Sequence, residues 1–392
     1  MTEAQKLPAW NERYEGGDPY AEADRLHKLG ERILWIQKRL QERDRSSLPR
    51  RAFHSKIRMG VENAQLEVHP DLPAALRVGF IQPNKVYPVT VRLSNASGSV
   101  QHDAKKDMRG IALRVKVSDA EYHDLLLTNG PVSHARNGTE FVAFAAALAG
   151  SRLRLPFRLL FGLGLLTSVR MFRNVMRYAT AKIDSLATET YWGRGAMRWD
   201  TQAGRLKLVP VPAAAPPAPP DKAHPDYLRT ELADRLRAAE IVFEFHFQPF
   251  VDEYRTPIED ASVEWKVADS PPIPFARLVI PRQDIDAAEG RAAEGRVDVL
   301  AFNPWHTTDL FRPLGHINRA RKVVYRASSA HRLGQRFLAE VPLRNRVFAS
   351  LSRGVFRVVN WFVEWHRLPT LLSVLNLDGF RHVLRKENLH DT

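Results

Sequence analysis

The chain has no cysteine among its 392 residues. Disulfides, thiolate-held zinc, iron–sulfur clusters, a cysteine nucleophile and any other thiolate-ligated metal are therefore excluded. Long apolar runs are missing as well. In the apolar, basic segment 153–178 the longest uncharged stretch is 159–169, which is 11 residues and too short to cross a bilayer. The first residues lack the apolar core of a secretory signal, so a cytoplasmic location is expected. Acidic residues are short in supply: 44 Asp and Glu stand against 58 Lys and Arg, a formal charge of +14. That excess suits an acidic ligand or an anionic membrane surface. Nucleic acid is not expected as a partner, because the cations are neither gathered into arginine-rich runs nor interleaved with aromatics.

What is present reads as a soluble globular protein, with 44% hydrophobic and 26% charged residues. Residues 20–44 place Leu26, Leu29, Ile33, Ile36 and Leu40 at helical spacing, which makes an amphipathic arm over residues 1–47. Such an arm packs on its own core or on a neighbouring subunit, and a homo-oligomer is expected. Strand signals follow at 87–94, where Tyr87, Val89, Val91 and Leu93 share one face and Thr90, Arg92 and Ser94 the other. Residues 109–117 alternate too, and further strands are expected at 124–128, 192–199, 241–248 and 275–280. Many short strands separated by turns point to an antiparallel barrel rather than βαβ units. Segment 150–185 reads as a helical insertion, either packed on the barrel or lying at a lipid interface. Residues 208–222 read as a proline-rich linker within one domain, and 336–392 as a tail of packed helices that includes Trp361 and Trp365.

The chemistry is concentrated in Arg321-Lys-Val-Val-Tyr325-Arg-Ala-Ser328-Ser-Ala-His331-Arg332-Leu-Gly334. At 3.6 residues per turn Arg321, Tyr325, Ser328 and Arg332 form one stripe. A neighbouring cation favours the phenolate of a tyrosine, and a phenolate on a rigid helix can ligate ferric haem iron. An arginine fork on the same stripe suits a haem propionate. The same stripe also suits a basic surface helix whose tyrosine packs its ring and wets its hydroxyl. Upstream stand Arg51-Ala-Phe53-His54-Ser-Lys56, the strand face of Arg92 and Ser94, Asp107-Met-Arg109-Gly110, and Asp124-Leu-Leu-Leu-Thr128-Asn129-Gly-Pro131 with Phe141 beyond.

These pieces, in this order and over roughly residues 48–335, resemble the haem catalases and their shorter relatives, the catalase-related peroxidases and coral-type allene oxide synthase domains. The resemblance implies an α+β fold, an antiparallel eight-stranded catalase-type barrel with surrounding helices. It implies haem b with Tyr325 as proximal ligand, supported by Arg321. It implies His54 as distal acid/base, Ser94 behind it, Arg51, Arg92 and Arg332 on the propionates, and Phe141 with Phe53 against the haem. Phe302-Asn-Pro304 is similar to the family's segment before the proximal helix. Two departures bear on activity. Phe53 replaces a small valine beside the distal histidine, and Thr128 stands where the family places an asparagine, with Asn129 next to it. Either the amide of Asn129 or the hydroxyl of Thr128 is then expected to meet the peroxide. The resulting expectation is a peroxidase acting on hydrogen peroxide or organic, lipid-like hydroperoxides, with weak catalase activity; peripheral membrane contact is only one of the two readings of segment 153–178. A hydroperoxide isomerase or dehydratase and a non-enzymatic haem carrier are the alternatives.

Overall fold

Short runs with a period of two build the centre of the molecule. A computed structural model describes residues 9–46, 49–149, 155–179, 183–213 and 218–335. Its strands are β1 (Ile57–Val68), β2 (Val86–Asn95), β3 (Arg109–Lys116), β4 (Tyr122–Asn129), β5 (Tyr191–Gly193), β6 (Met197–Trp199), β7 (Gln202–Pro210), β8 (Ile241–Pro249) and β9 (Ile273–Ile280). They follow the order β5-β4-β3-β2-β1-β9-β8-β7-β6, and β5 pairs with β7 as well. That last pairing closes a ring of eight antiparallel strands, with β6 as a short outer partner of β7. Closure removes the exposed sheet edges that an open sheet would have to protect.

One face of every strand fills the barrel. Val89, Val91 and Leu93 of β2 lie opposite Val115, Leu113 and Ile111 of β3, all of them buried in one core. Across the barrel, Phe243, Phe245 and Phe247 of β8 meet Tyr191, Trp199 and Phe275, none of which is more than 2% exposed. Arg92 and Ser94 lie on the outer face of β2, as the alternation of 87–94 predicts. That face is where the site is built.

Seven helices are described: α1 (Pro19–Arg43), α2 (Gly138–Ala149), α3 (Leu155–Leu163), α4 (Leu165–Ala179), α5 (Tyr227–Ala238), α6 (Ala288–Val299) and α7 (His316–Arg332). Asp18 caps α1 by accepting from the Tyr20 N–H at 2.9 Å, and Pro19 opens its first turn. α1 packs on α2 and α7. A buried guanidinium fixes that contact. Arg319 on α7 donates to Glu22 on α1 at 2.5 Å, to Glu12 at 2.9 Å and to Glu259 at 3.0 Å. Burial alone would lower the pKa of Arg319, but the carboxylates raise it. Where α2 crosses α7, a Cβ on Gly138 would lie 2.1 Å from the Cβ of Ala320, so only glycine permits the approach.

The expected barrel and the helix over 20–44 are both present. Strand 192–199 is broken into β5 and β6. β1 escapes the pattern because register shifts at Ile57/Met59 and Val61/Ala64 interrupt its alternation. The expected linker 208–222 begins too early, since β7 continues to Pro210, a proline at a strand end where a missing N–H is tolerated. Helix α5 repeats Leu228, Leu232 and Leu236 at helical spacing and packs them into the core, a signal the strand pattern around it masks, whereas α6 buries only Val297 and has little apolar pattern to announce it. Residues 214–217 of the linker, residues 150–154 and 180–182 of the insertion and the tail 336–392 with Trp361 and Trp365 lie outside the described residues.

Candidate functional site

His54 sits in the left-handed region, with φ of 58°. A non-glycine residue stays there only when its surroundings hold it. Here the His54 N–H donates to Ala96 O at 2.9 Å, and Arg92 donates to His54 O at 2.9 Å. The ring is held from the side by Ser94, whose Oγ is 3.1 Å from Nδ1. Beneath the ring is Gly110, the second residue of β3. A Cβ at Gly110 would be 2.4 Å from His54 Cε1 and 2.6 Å from Nδ1, so glycine makes the floor on which the imidazole lies. Although the ring keeps some surface, burial and then the charges of Arg92, Arg194, Arg321 and Arg51 push its pKa down to about 3. The imidazole is neutral at neutral pH, with Nε2 turned away from Ser94.

Strand register decides which polar group joins it. Ser94 is opposite Gly110, and Gly110 is opposite Thr128. Directly paired residues project to the same face, so Ser94, the glycine floor and Thr128 form one row under the imidazole. The Thr128 hydroxyl is buried and has no hydrogen-bond partner. Asn129, one residue on, projects to the opposite face. Its Oδ1 accepts from the Arg109 N–H at 2.6 Å and its Nδ2 donates to Glu189 at 2.9 Å. The structure therefore corrects the expectation for Asn129: its amide ties β3 and β4 to the loop before β5 and does not face His54. Asp124 is likewise structural, with both oxygens engaged by Arg114 at 2.8 Å and one by His306 at 2.8 Å.

The three expected anion-binding arginines come together. Arg92 on β2 reaches Asp298 at 2.9 Å, near the end of α6. Arg51 donates to Asp298 O and Leu300 O, both at 2.7 Å, and Arg332 donates to Val299 O at 2.7 Å and Leu300 O at 3.0 Å. Burial and the neighbouring guanidiniums push the pKa of Arg51 down to about 8, against the opposing pull of Asp298 and Tyr325. Burial lowers Arg92 and Arg332 as well. Asp298, which sequence reasoning did not find, is the carboxylate among them: Arg92 bonds its Oδ1, Arg51 bonds its backbone carbonyl, and Arg332 feels its charge. Three crowded cations around one carboxylate make a place suited to further carboxylates.

Tyr325 extends from α7 into an apolar cluster of Ile33, Ile36, Ala52, Val142, Ala145, Ala146 and Val324, where Phe53 and Phe141 also pack. Arg321, one turn earlier, lies over the tyrosine ring at 5.2 Å and donates towards its hydroxyl at 3.4 Å. Phe53 meets Phe141 edge-on with centroids 5.4 Å apart. The chain thus brings together Arg51, Phe53, His54, Arg92, Ser94, Thr128, Phe141, Arg321, Tyr325 and Arg332. It also adds His134, which stacks on Phe141 at 4.9 Å and Phe144 at 5.0 Å, with its pKa pushed down to about 3 by burial and then Arg194. No spacing in the sequence marks His134 or Arg194. The donor set fits a haem: a phenol oxygen on one wall, an imidazole on another element, aromatic and aliphatic surface between, and guanidiniums crowded at one edge.

The catalase family profile matches residues 18–151, a stretch that contains His54, Ser94, Thr128 and Phe141 and ends before Tyr325. A catalase-related peroxidase of Mycolicibacterium paratuberculosis is 27% identical over 267 residues, 65% of this chain and 81% of that protein. Among solved structures, a bacterial catalase matches with a TM-score of 0.56 and 19% identity, over 76% of this chain and 60% of its own. A fungal catalase matches with a TM-score of 0.59 and 16% identity, over 78% and 63% respectively. Catalase A from Saccharomyces cerevisiae gives 0.56 and 15%, over 75% and 63%. The chain spans about three fifths of the length of these solved catalases, and at such identities the likeness is one of fold.

Proposed function

We propose, from its likeness to the catalase family over residues 18–151 and to a catalase-related peroxidase, that the chain is a haem-dependent oxidoreductase acting on hydrogen peroxide or an organic hydroperoxide. The observation that carries this reading is the meeting of the His54 segment and Tyr325, from opposite ends of the described chain, in one cluster edged by Arg51, Arg92 and Arg332. Tyr325 would hold the iron through its phenol oxygen, with Arg321 supporting the anionic form of the ligand. Arg51, Arg92 and Arg332 would hold the propionates, and those carboxylates would offset the charges that now depress the His54 pKa. Bound haem supplies the iron that takes up the peroxide and the redox equivalents for its cleavage.

The protein residues supply the proton chemistry. His54, neutral and fixed at Nδ1 by Ser94, takes the peroxide proton at Nε2 and returns it to the departing oxygen. Thr128 offers its unpartnered hydroxyl to the bound peroxide. Phe53 and Phe141 wall the approach with rings where a small side chain would leave room. That favours an apolar hydroperoxide over rapid dismutation of hydrogen peroxide. The same apolar wall supports a second reading, in which a lipid-like hydroperoxide is rearranged without an external reductant.

The test is an absorption spectrum of the haem-reconstituted protein, followed by peroxide addition with an oxygen electrode running. A high-spin ferric tyrosinate-type spectrum, little oxygen and consumption of an organic hydroperoxide are expected. Reductant dependence then separates reduction from rearrangement. His54→Ala should retain the haem and lose the reactivity. A protein that takes up no haem would overturn the proposal.

A further inference from the structure

The helical hairpin α3–α4 carries a surface that the peroxide chemistry does not use. Its two helices are bent by 118° at Gly164, and together, though not singly, they have the length and apolar composition of a broken membrane segment. Viewed down α4 at 100° per residue, three faces separate. Leu165, Val169, Phe172 and Met176 form one stripe, and Val169 and Phe172 are 59% and 57% exposed. Arg173 and Arg177 lie along one flank of that stripe, together with Leu166, while Arg170 on the same side turns in to Glu140 at 2.6 Å. Met171 and Val175 form the third face, which packs with Phe144, Leu159, Leu163 and Phe141. A core helix needs one apolar face, and α4 has two. On α3, Phe157 and Phe161 are 60% and 72% exposed, and Leu166 in α4 reaches 86%. A groove of about 630 Å³ opens between the helices, lined by Leu160, Leu165, Val169, Phe172 and Met176 with Arg173 at its side.

Residues 155–179 contain four arginines and no carboxylate. An exposed apolar stripe flanked by arginines is the chemistry of an interfacial helix, whose hydrocarbon face enters the acyl boundary while guanidiniums meet lipid phosphates. The hairpin is also tied to the site. Phe141 belongs to the apolar cluster beneath the hairpin and touches Phe53 beside His54. We propose that α3–α4 is a monotopic anchor that seats its outer stripe in an anionic phospholipid surface. The inference rests on the hairpin and not on the haem reading, since docking needs no cofactor.

The experiment is co-sedimentation of the full chain with phosphatidylcholine vesicles that contain or lack phosphatidylglycerol, with and without haem. Binding is expected to the anionic vesicles, to fall as salt rises, and to be the same with and without haem. Phe161→Ser with Leu166→Ser should weaken it by at least roughly tenfold, since each exposed side chain withdrawn from the acyl boundary loses most of its transfer energy. Arg173→Gln should cost about fivefold, the worth of one basic residue near an anionic surface. Circular dichroism and light scattering of the same variants show whether they fold and what size they are. No binding to either vesicle overturns the proposal. A folded dimer that the Phe161/Leu166 pair of substitutions converts to monomer, without vesicle binding by the wild type, also overturns it and assigns the face to self-association.

Discussion

Thr128 and Asn129 are adjacent, both polar, and face opposite sides of β4, so replacing each one should have opposite consequences. The Thr128 hydroxyl is buried without a partner. An unsatisfied buried hydroxyl costs roughly 1–3 kcal/mol, and valine keeps the shape of threonine while removing the polar atom. Thr128→Val should therefore stabilise the apoprotein by about 1 kcal/mol, raising Tm by roughly 2 °C in a domain of this size. The same change removes the hydroxyl assigned to the bound peroxide. One neutral hydrogen bond is worth about 1 kcal/mol, so the rate constant for reaction with peroxide should fall about fivefold. Asn129→Ala should act in the other direction. It leaves the Arg109 N–H and the Glu189 carboxyl without their partner and should destabilise by roughly 1–3 kcal/mol with haem chemistry retained in the folded fraction. Urea denaturation of the apoproteins and stopped-flow mixing of the haem forms with peroxide supply both readouts. A Thr128→Val protein that is less stable, and reacts with peroxide at the wild-type rate, would refute the reasoning.

Three further outcomes follow from the same geometry. Tyr325→Phe should lose or weaken haem retention, read as haem content after desalting; full retention with an unchanged spectrum would remove Tyr325 as the ligand. Gly110→Ala places a methyl group 2.4 Å from His54 Cε1 and must displace the ring from Ser94. It should slow peroxide reaction by about a hundredfold or more, the usual worth of a positioned acid/base group, while haem content stays near wild type. Wild-type rates would show that His54 is not the proton carrier. The third outcome concerns acid. Burial pushes the pKa of His123 down to about 4, and those of His54 and His134 down to about 3. Their folded values lie below the unfolded value of about 6.5, so the unfolded state binds more protons as pH falls below that point. Stability present above pH 6.5 is lost towards pH 4. For His123, 4% exposed, the loss at pH 5 is roughly 2 kcal/mol. His123→Gln should flatten the pH dependence of urea stability between pH 7 and 5; an unchanged slope would exclude it as a source.

Much of this protein is set by local rules that the sequence exposes directly. Period two in 87–94 separates Val89, Val91 and Leu93 from Arg92 and Ser94, because alternate side chains of any strand must part to opposite faces. The helical period puts Arg321 one turn from Tyr325 for an equally local reason, and α7 keeps that spacing. The absence of cysteine narrows the ligand choice without any structure.

Other decisions were made only in three dimensions. Leu125-Leu126-Leu127 has no alternation, so the phase of β4 is hidden until pairing with Gly110 turns Thr128 towards His54 and Asn129 away. Gly110 is one glycine among 21 until the imidazole lies on it. Asp298 sits in a helix with little apolar pattern of its own. Its place among Arg51, Arg92 and Arg332 comes from packing α6 across β1 and β2. His134 and Arg194 become site residues in the same way. Periodicity reports which face a side chain takes within its own element. It carries no information on which distant element that face will meet, because that is fixed by strand register and helix packing across the whole chain.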